Sequence, residues 1–117
     1  MAFNFQDLDV YNKAIDLVNS VYSLTKTFPK DEMFGLTGQL RRAAVSIASN
    51  ISEGSARSKK DFSRFIDMAR GSVFECVAML QVAQQQGYVN DGRTADLENA
   101  LTDLSKMLSG LKRSVNR

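Results

Sequence analysis

The sequence predicts an all-α fold, an antiparallel up-down-up-down four-helix bundle in which residues 1–117 form a single domain. Three observations carry that expectation. Apolar residues recur at alternating spacings of three and four in four separate segments; no segment shows the every-second-residue alternation of a strand; and the connections are short and built from Gly, Pro, Asn, Asp and Ser. A chain of 117 residues is long enough for one buried core and too short for two.

In the first segment Val10, Ala14, Leu17, Val21, Leu24 and Phe28 share one helical face, with Asp7 as the expected N-cap and Phe28-Pro29 as the expected stop. Lys30 to Gly38 reads as a connection with one helical turn at Asp31-Glu32-Met33-Phe34. The second helix should start near Leu36 or Thr37, bury Leu40, Ala44, Ile47 and Ile51, and stop near Glu53-Gly54, where Gly54 would supply a left-handed C-terminal residue. Ser58 with Asp61 resembles a capping box for the third helix. That helix places Phe62, Ile66, Ala69, Val73, Cys76, Leu80 and Ala83 on its core face until Gly87 ends it. After the turn at Tyr88 to Gly92, the fourth carries Leu97, Leu101, Leu104, Leu108, Leu111 and Val115.

The third helix is more apolar than a bundle with one buried stripe per helix requires. Phe65, Met68, Phe74, Met79 and Val82 lie beside its core face, and contiguous apolar surface of this kind marks an interface, here expected between copies of a homo-oligomer. The alternative is a wide core face.

Composition narrows the chemistry. With one cysteine, Cys76, no intrachain disulfide can form, which fits a reducing compartment and a cytoplasmic location. No stretch approaches a membrane span, and the N-terminal residues carry acids where a signal peptide would carry bases. The absence of histidine removes Ser-His-Asp and Cys-His sites and the Glu-x-x-His ligands of di-iron bundles. Cys76 falls on the apolar face as a core residue, and the glycines form no phosphate loop. Glu53, Asp67 and Glu75 could ligate a metal, but ion pairs to arginine are their commoner fate. The sequence therefore points away from an enzyme, and neither a cofactor nor a metal is expected.

Charge is unevenly placed. Residues 1–35 hold three basic and five acidic side chains, residues 36–70 seven and three, and residues 71–117 five and five. The central block is therefore net positive, which makes it the candidate for meeting phosphates. Within it, Arg41, Arg57, Lys59, Lys60 and Arg64 have few acidic neighbours at helical spacing and form the candidate nucleic-acid-binding set. Arg42, Ser46, Asn50 and Glu53 share one face of the second helix, and Arg64, Asp67, Gly71 and Glu75 run alike on the third. Arg42, Ser46, Asn50, Glu53, Arg70 and Glu75 are therefore expected to fasten the bundle, with Arg42 and Arg70 paired to Glu53 and Glu75 across helices and Asn50 fixing register.

The run from Leu36 to Glu75 also resembles a known family. Gln39-Leu40-Arg41-Arg42-Ala43, Ser46-Ile47, Asn50-Ile51, Glu53-Gly54, Phe62-x-x-Phe65, Ala69-Arg70-Gly71-Ser72 and Glu75, followed by Leu80 to Tyr88, are similar to the four-helix-bundle proteins encoded in intervening sequences of bacterial 23S rRNA genes. That family in turn resembles the accessory variability determinant of diversity-generating retroelements. The resemblance implies a ring-like homopentamer with a positive surface and no catalytic activity, partnered by RNA or by a reverse transcriptase. Ser52 departs from the usual alanine, and the net charge of +2 is lower than that of the retroelement proteins. Two function classes result. One is an RNA or ribonucleoprotein binder; the other is a protein-interaction scaffold without a nucleic-acid role.

Overall fold

A computed structural model describes residues 3–117. Four helices, α1 (Asp9–Thr25), α2 (Leu36–Ser55), α3 (Lys59–Gln85) and α4 (Asp91–Val115), account for most of them, with short 3-10 turns at Asn4–Asp7 and Lys30–Glu32. No strand occurs among the described residues. α3 has 27 residues. At about 1.5 Å of rise per residue it is about 40 Å long, which sets the long dimension of a 44 × 23 × 22 Å molecule.

Each helix touches two neighbours. α2 packs most extensively on α3, α1 lies against α2 and α4, and α4 against α3, while the diagonal pairs α1/α3 and α2/α4 make no close backbone approach. The apolar stripes meet in the middle of that square. Val10, Ala14, Leu17, Val21 and Leu24 of α1, Leu40, Ala44, Ile47 and Ile51 of α2, Ile66, Ala69, Val73, Cys76, Leu80 and Ala83 of α3, and Leu97, Leu101, Leu104 and Leu108 of α4 are all buried, as the spacing predicts. Full burial of each larger aliphatic side chain contributes roughly 1.5–3 kcal/mol. Phe62, Leu111 and Val115 only flank this core.

Four boundaries differ from expectation, the first being the end of α1, which stops at Thr25, ahead of Phe28-Pro29. Asp7 does not cap α1: it closes the 3-10 turn, the chain extends at Leu8 (φ −76°, ψ 127°), and Leu8 becomes the cap residue. The turn in the α1–α2 connection forms at Lys30–Glu32, slightly ahead of the expected stretch, because Pro29 takes the cap position with its fixed φ. Gly54 is not a left-handed terminator. α2 continues to Ser55, and Ala56 follows in right-handed geometry. Gly54 faces α3 instead, where an added Cβ would stand 2.7 Å from Phe65 Cβ and 2.9 Å from Phe62 Cδ1. Glycine is needed there for close helix contact rather than for backbone freedom.

At the start of α3 only the serine half of the expected capping box forms, Gly87 ends that helix as read, and Asn90 caps α4, a role the sequence reading did not assign. Ser58 Oγ accepts from the Asp61 amide at 3.3 Å and starts α3. Gly87, at φ +80°, ends it in the left-handed region that glycine tolerates. Asn90 Oδ1 then accepts from the Arg93 amide at 2.7 Å and caps α4.

Candidate functional site

The five expected phosphate-binding cations do not share one environment. Arg41 is half-buried against α1: its Nε donates to Thr25 Oγ1 at 2.8 Å, and its guanidinium carbon lies 4.6 Å from the centre of the Tyr22 ring. Arg57 and Arg64 both cover Phe65, with guanidinium carbons 5.3 and 4.9 Å from the ring centre. Arg64 also reaches Asp61 at 3.7 Å, an exposed contact of little energetic weight. Lys59 donates to a main-chain oxygen of Arg117, the last described residue, at 3.4 Å, and Lys60 is exposed in the first turn of α3.

Phe65 is therefore not surface. It is 8% exposed, backed by Gly54 and lidded by two arginines, so it plugs the end of the core where an intermolecular contact was expected. Missing Cβ bulk on α2 lets the ring sink inward. Of the other residues expected at an interface, Met79 is half-buried and packs on the core, while Met68, Phe74 and Val82 are exposed at 47, 63 and 43%.

The fastening network also differs from the expected ion pairs. Arg42, Glu53 and Glu75 are exposed, and among the described residues no ion pair joins Arg42 or Arg70 to Glu53 or Glu75. Arg70 meets Asp67 one turn back, at 3.8 Å, and Asp67 accepts two shorter bonds from Lys112 Nζ of α4, at 2.8 and 2.9 Å. Arg70 Nε is buried without a hydrogen-bond partner. Neutral groups join α2 to α3. Asn50 Nδ2 donates to Ser46 O and Ser46 Oγ at 2.8 and 3.0 Å, and Ser72 of α3 lies 3.0 Å from Ser46 Oγ. Ser46 and Asn50 are thus brought together as expected, with Ser72 as the missed third member. Spacing along one helix names a face but not the residue opposite it.

Cys76 is fully buried. Burial, with a smaller contribution from Glu75, pushes its thiol up to about 12, which keeps it protonated and unreactive at neutral pH. Tyr88, whose hydroxyl lies 3.1 Å from Glu32 Oε2, is shifted upward chiefly by that hydrogen bond. Among the described residues no group of three or more His, Cys, Asp or Glu side chains is placed to hold a metal ion.

The cations fall in two places, Arg41 and Arg42 in the first half of α2 and Arg57, Lys59 and Lys60 at the α2–α3 turn. Of the seven between Gln39 and Glu75, Arg64 and Arg70 have aspartate partners; Arg41, Arg42, Arg57, Lys59 and Lys60 have none among the described residues.

Comparison with known proteins places the chain. The model of the 23S rRNA-intervening sequence protein family matches residues 6–110. The chain belongs to that family. Among solved structures, this 23S rRNA-intervening sequence protein is similar to a protein of unknown function from the S23 ribosomal protein family of Bacteroides thetaiotaomicron VPI-5482, solved at 1.70 Å resolution. The two share 22% identity at a TM-score of 0.81, over 88% of this chain and 97% of that one, so the likeness is one of fold. No curated protein matches significantly. No helix of the described residues is long and apolar enough to cross a membrane.

Proposed function

We propose that this protein is a non-enzymatic, oligomeric four-helix bundle that binds RNA, or an RNA within a ribonucleoprotein, through cations held away from carboxylates. The observation that carries the reading is the set Arg41, Arg42, Arg57, Lys59 and Lys60, which lack aspartate or glutamate partners among the described residues. Such cations lose no ion pair when they meet phosphates, and release of condensed counterions then drives association. The alternating up-down course of the helices is supported by cross-helix pairs whose numbers run in opposite directions: Ser46 with Ser72 and Gly54 with Phe65, and likewise Asp67 with Lys112 and Gln84 with Asp91.

Assembly with further copies, as a ring-like homopentamer, is supported by the exposed apolar residues Met68, Phe74 and Val82. The same residues favour a second reading, a scaffold on which a protein such as a reverse transcriptase docks. A cytoplasmic location goes with either. Binding of RNA at low salt, weakened by alanine at Arg57, Lys59 and Lys60, tests the first reading; binding unchanged in those variants, or none at all, counts against it. Pull-down after nuclease treatment separates the two, since a scaffold keeps its protein partner and an RNA binder loses whatever RNA tethers.

A further inference from the structure

The α1–α2 surface carries a groove of about 430 Å3 lined by Tyr22, Arg41, Arg42, Val45, Ser46 and Ser49. We propose that it seats one unpaired nucleotide of a single-stranded nucleic acid, with the base stacked on the Tyr22–Arg41 platform and its phosphate on Arg42. This rests on the RNA-binding reading and names where on the surface a strand is gripped.

No carboxylate lines the groove. Tyr22 keeps 40% of its surface exposed although Arg41 lies over its ring. The bond from Arg41 Nε to Thr25 Oγ1 fixes the guanidinium plane, so the ring and the cation form a platform ordered before a ligand arrives. Planar guanidinium and aromatic faces are the surfaces on which splayed bases stack. Arg42, Ser46 and Ser49 follow at spacings of four and three along the same face of α2, placing a cation and two hydroxyls beside that platform.

Ser46 contributes more than proximity. Its Oγ is approached by Asn50 Nδ2 and Ser72 Oγ, both at 3.0 Å. Ser72 Oγ also lies 3.2 Å from the Met68 carbonyl and has one proton for the two acceptors, so the Asn50 bond, whose donor is unambiguous, is the one that holds the Ser46 hydroxyl at the groove wall. The buried network thus orients one wall of the seat. A duplex keeps its base faces stacked internally and cannot use such a platform, which is why the ligand is single-stranded.

The test uses the full chain, an end-labelled oligoadenylate of about ten nucleotides, the same strand paired to its complement, and the deoxy version, with binding read by fluorescence anisotropy. The single strand should bind more tightly than the duplex. Tyr22→Ala should weaken it about tenfold, from the loss of one stacked base, while Tyr22→Phe stays within about twofold because the ring remains. Arg42→Gln should reduce the salt slope by about 0.7, the value for one single-strand phosphate contact. Equal affinity for the deoxy strand supports a seat indifferent to the sugar, and preference for RNA supports one that also senses the 2′-hydroxyl. If RNA binds but Tyr22→Ala and Arg42→Gln, with unchanged melting curves, bind as well as the unaltered protein, the seat is overturned and the basic-surface reading stands. If no RNA binds at low salt, both fall.

Discussion

Gly54 and Phe65 stand so close that a Cβ on the glycine would lie 2.7 Å from the Cβ of the phenylalanine. Phe65 Cβ is fixed to the α3 backbone, so a Gly54→Ala side chain could be accommodated only by moving the helices apart. Overpacking of this kind costs roughly 1–3 kcal/mol. The gain in helix propensity returns at most about 1 kcal/mol. Net destabilisation of up to about 2 kcal/mol by urea unfolding is expected once the propensity gain is subtracted.

Gly71 provides the contrast. It lies inside α3, exposed, with nothing within 4 Å of a Cβ built on it. Gly71→Ala should stabilise the monomer fold by about 0.5–1 kcal/mol through helix propensity. Loss of stability there would mean that another chain packs on that face in solution.

The Ser46–Asn50–Ser72 network should behave as one coupled unit. Ser72→Ala removes the inter-helix bond and is expected to cost about 0.5–1.5 kcal/mol. In a double-mutant cycle with Ser46→Ala, a coupling of about 0.5–1 kcal/mol is expected. A coupling of zero would show that the two hydroxyls stand near each other without interacting.

Cys76 gives a pH dependence. The thiol's ordinary value is 9.0 and burial raises it to about 12, so between those pH values the unfolded chain has released a proton that the folded chain retains. Stability is therefore intact below pH 9 and falls above it, by up to about 1.4 kcal/mol per pH unit from this group. Tyr88 acts in the same direction, so the measurement compares the stability slopes of Cys76→Ala and the unaltered protein in a Tyr88→Phe background. Equal slopes would contradict the assignment. In the native state the thiol should also resist an aromatic disulfide reagent until the protein unfolds.

Much of the fold can be read from the chain because bundle burial follows from spacing within each helix. The α1, α2 and α4 stripes and most of the α3 stripe needed no knowledge of partners. The residues misread were those whose role depends on what lies opposite. Gly54 looks like a terminator in sequence, and only Phe65 across the interface makes it a contact glycine. Phe65 looks like surplus surface until Arg57 and Arg64 are seen to cover it. Arg42 and Glu75 lie on neighbouring helices, yet no pair forms between them, because exposed side chains gain little from pairing. Ser72 and Thr25 are small polar residues with no one-helix signature. Their partners Ser46 and Arg41 lie on α2, 26 and 16 positions away in sequence.

The seven basic against three acidic side chains of residues 36–70 are legible in the sequence; what each of them touches is not. Arg41 proved to be anchored on Tyr22 and Thr25, and Arg42 proved to be the cation beside it without a carboxylate partner.

Oligomerisation should leave a mark on the exposed side of α3. Light scattering is expected to give a mass several times that of one 13.0 kDa chain. Phe74→Asp with Val82→Asp should lower it to the monomer while preserving helical content. A monomeric unaltered protein would remove the role assigned to Met68, Phe74 and Val82.

If cations without aspartate or glutamate partners hold RNA, binding must depend on salt. A labelled single-stranded RNA should bind at low ionic strength, with log affinity falling linearly against log salt. Three to five phosphate contacts predict a slope of about −2 to −3.5. The slope should become shallower by about 0.7 for each of Arg42, Arg57, Lys59 and Lys60 that is neutralised. No binding at about 50 mM salt, or a slope near zero, would contradict it.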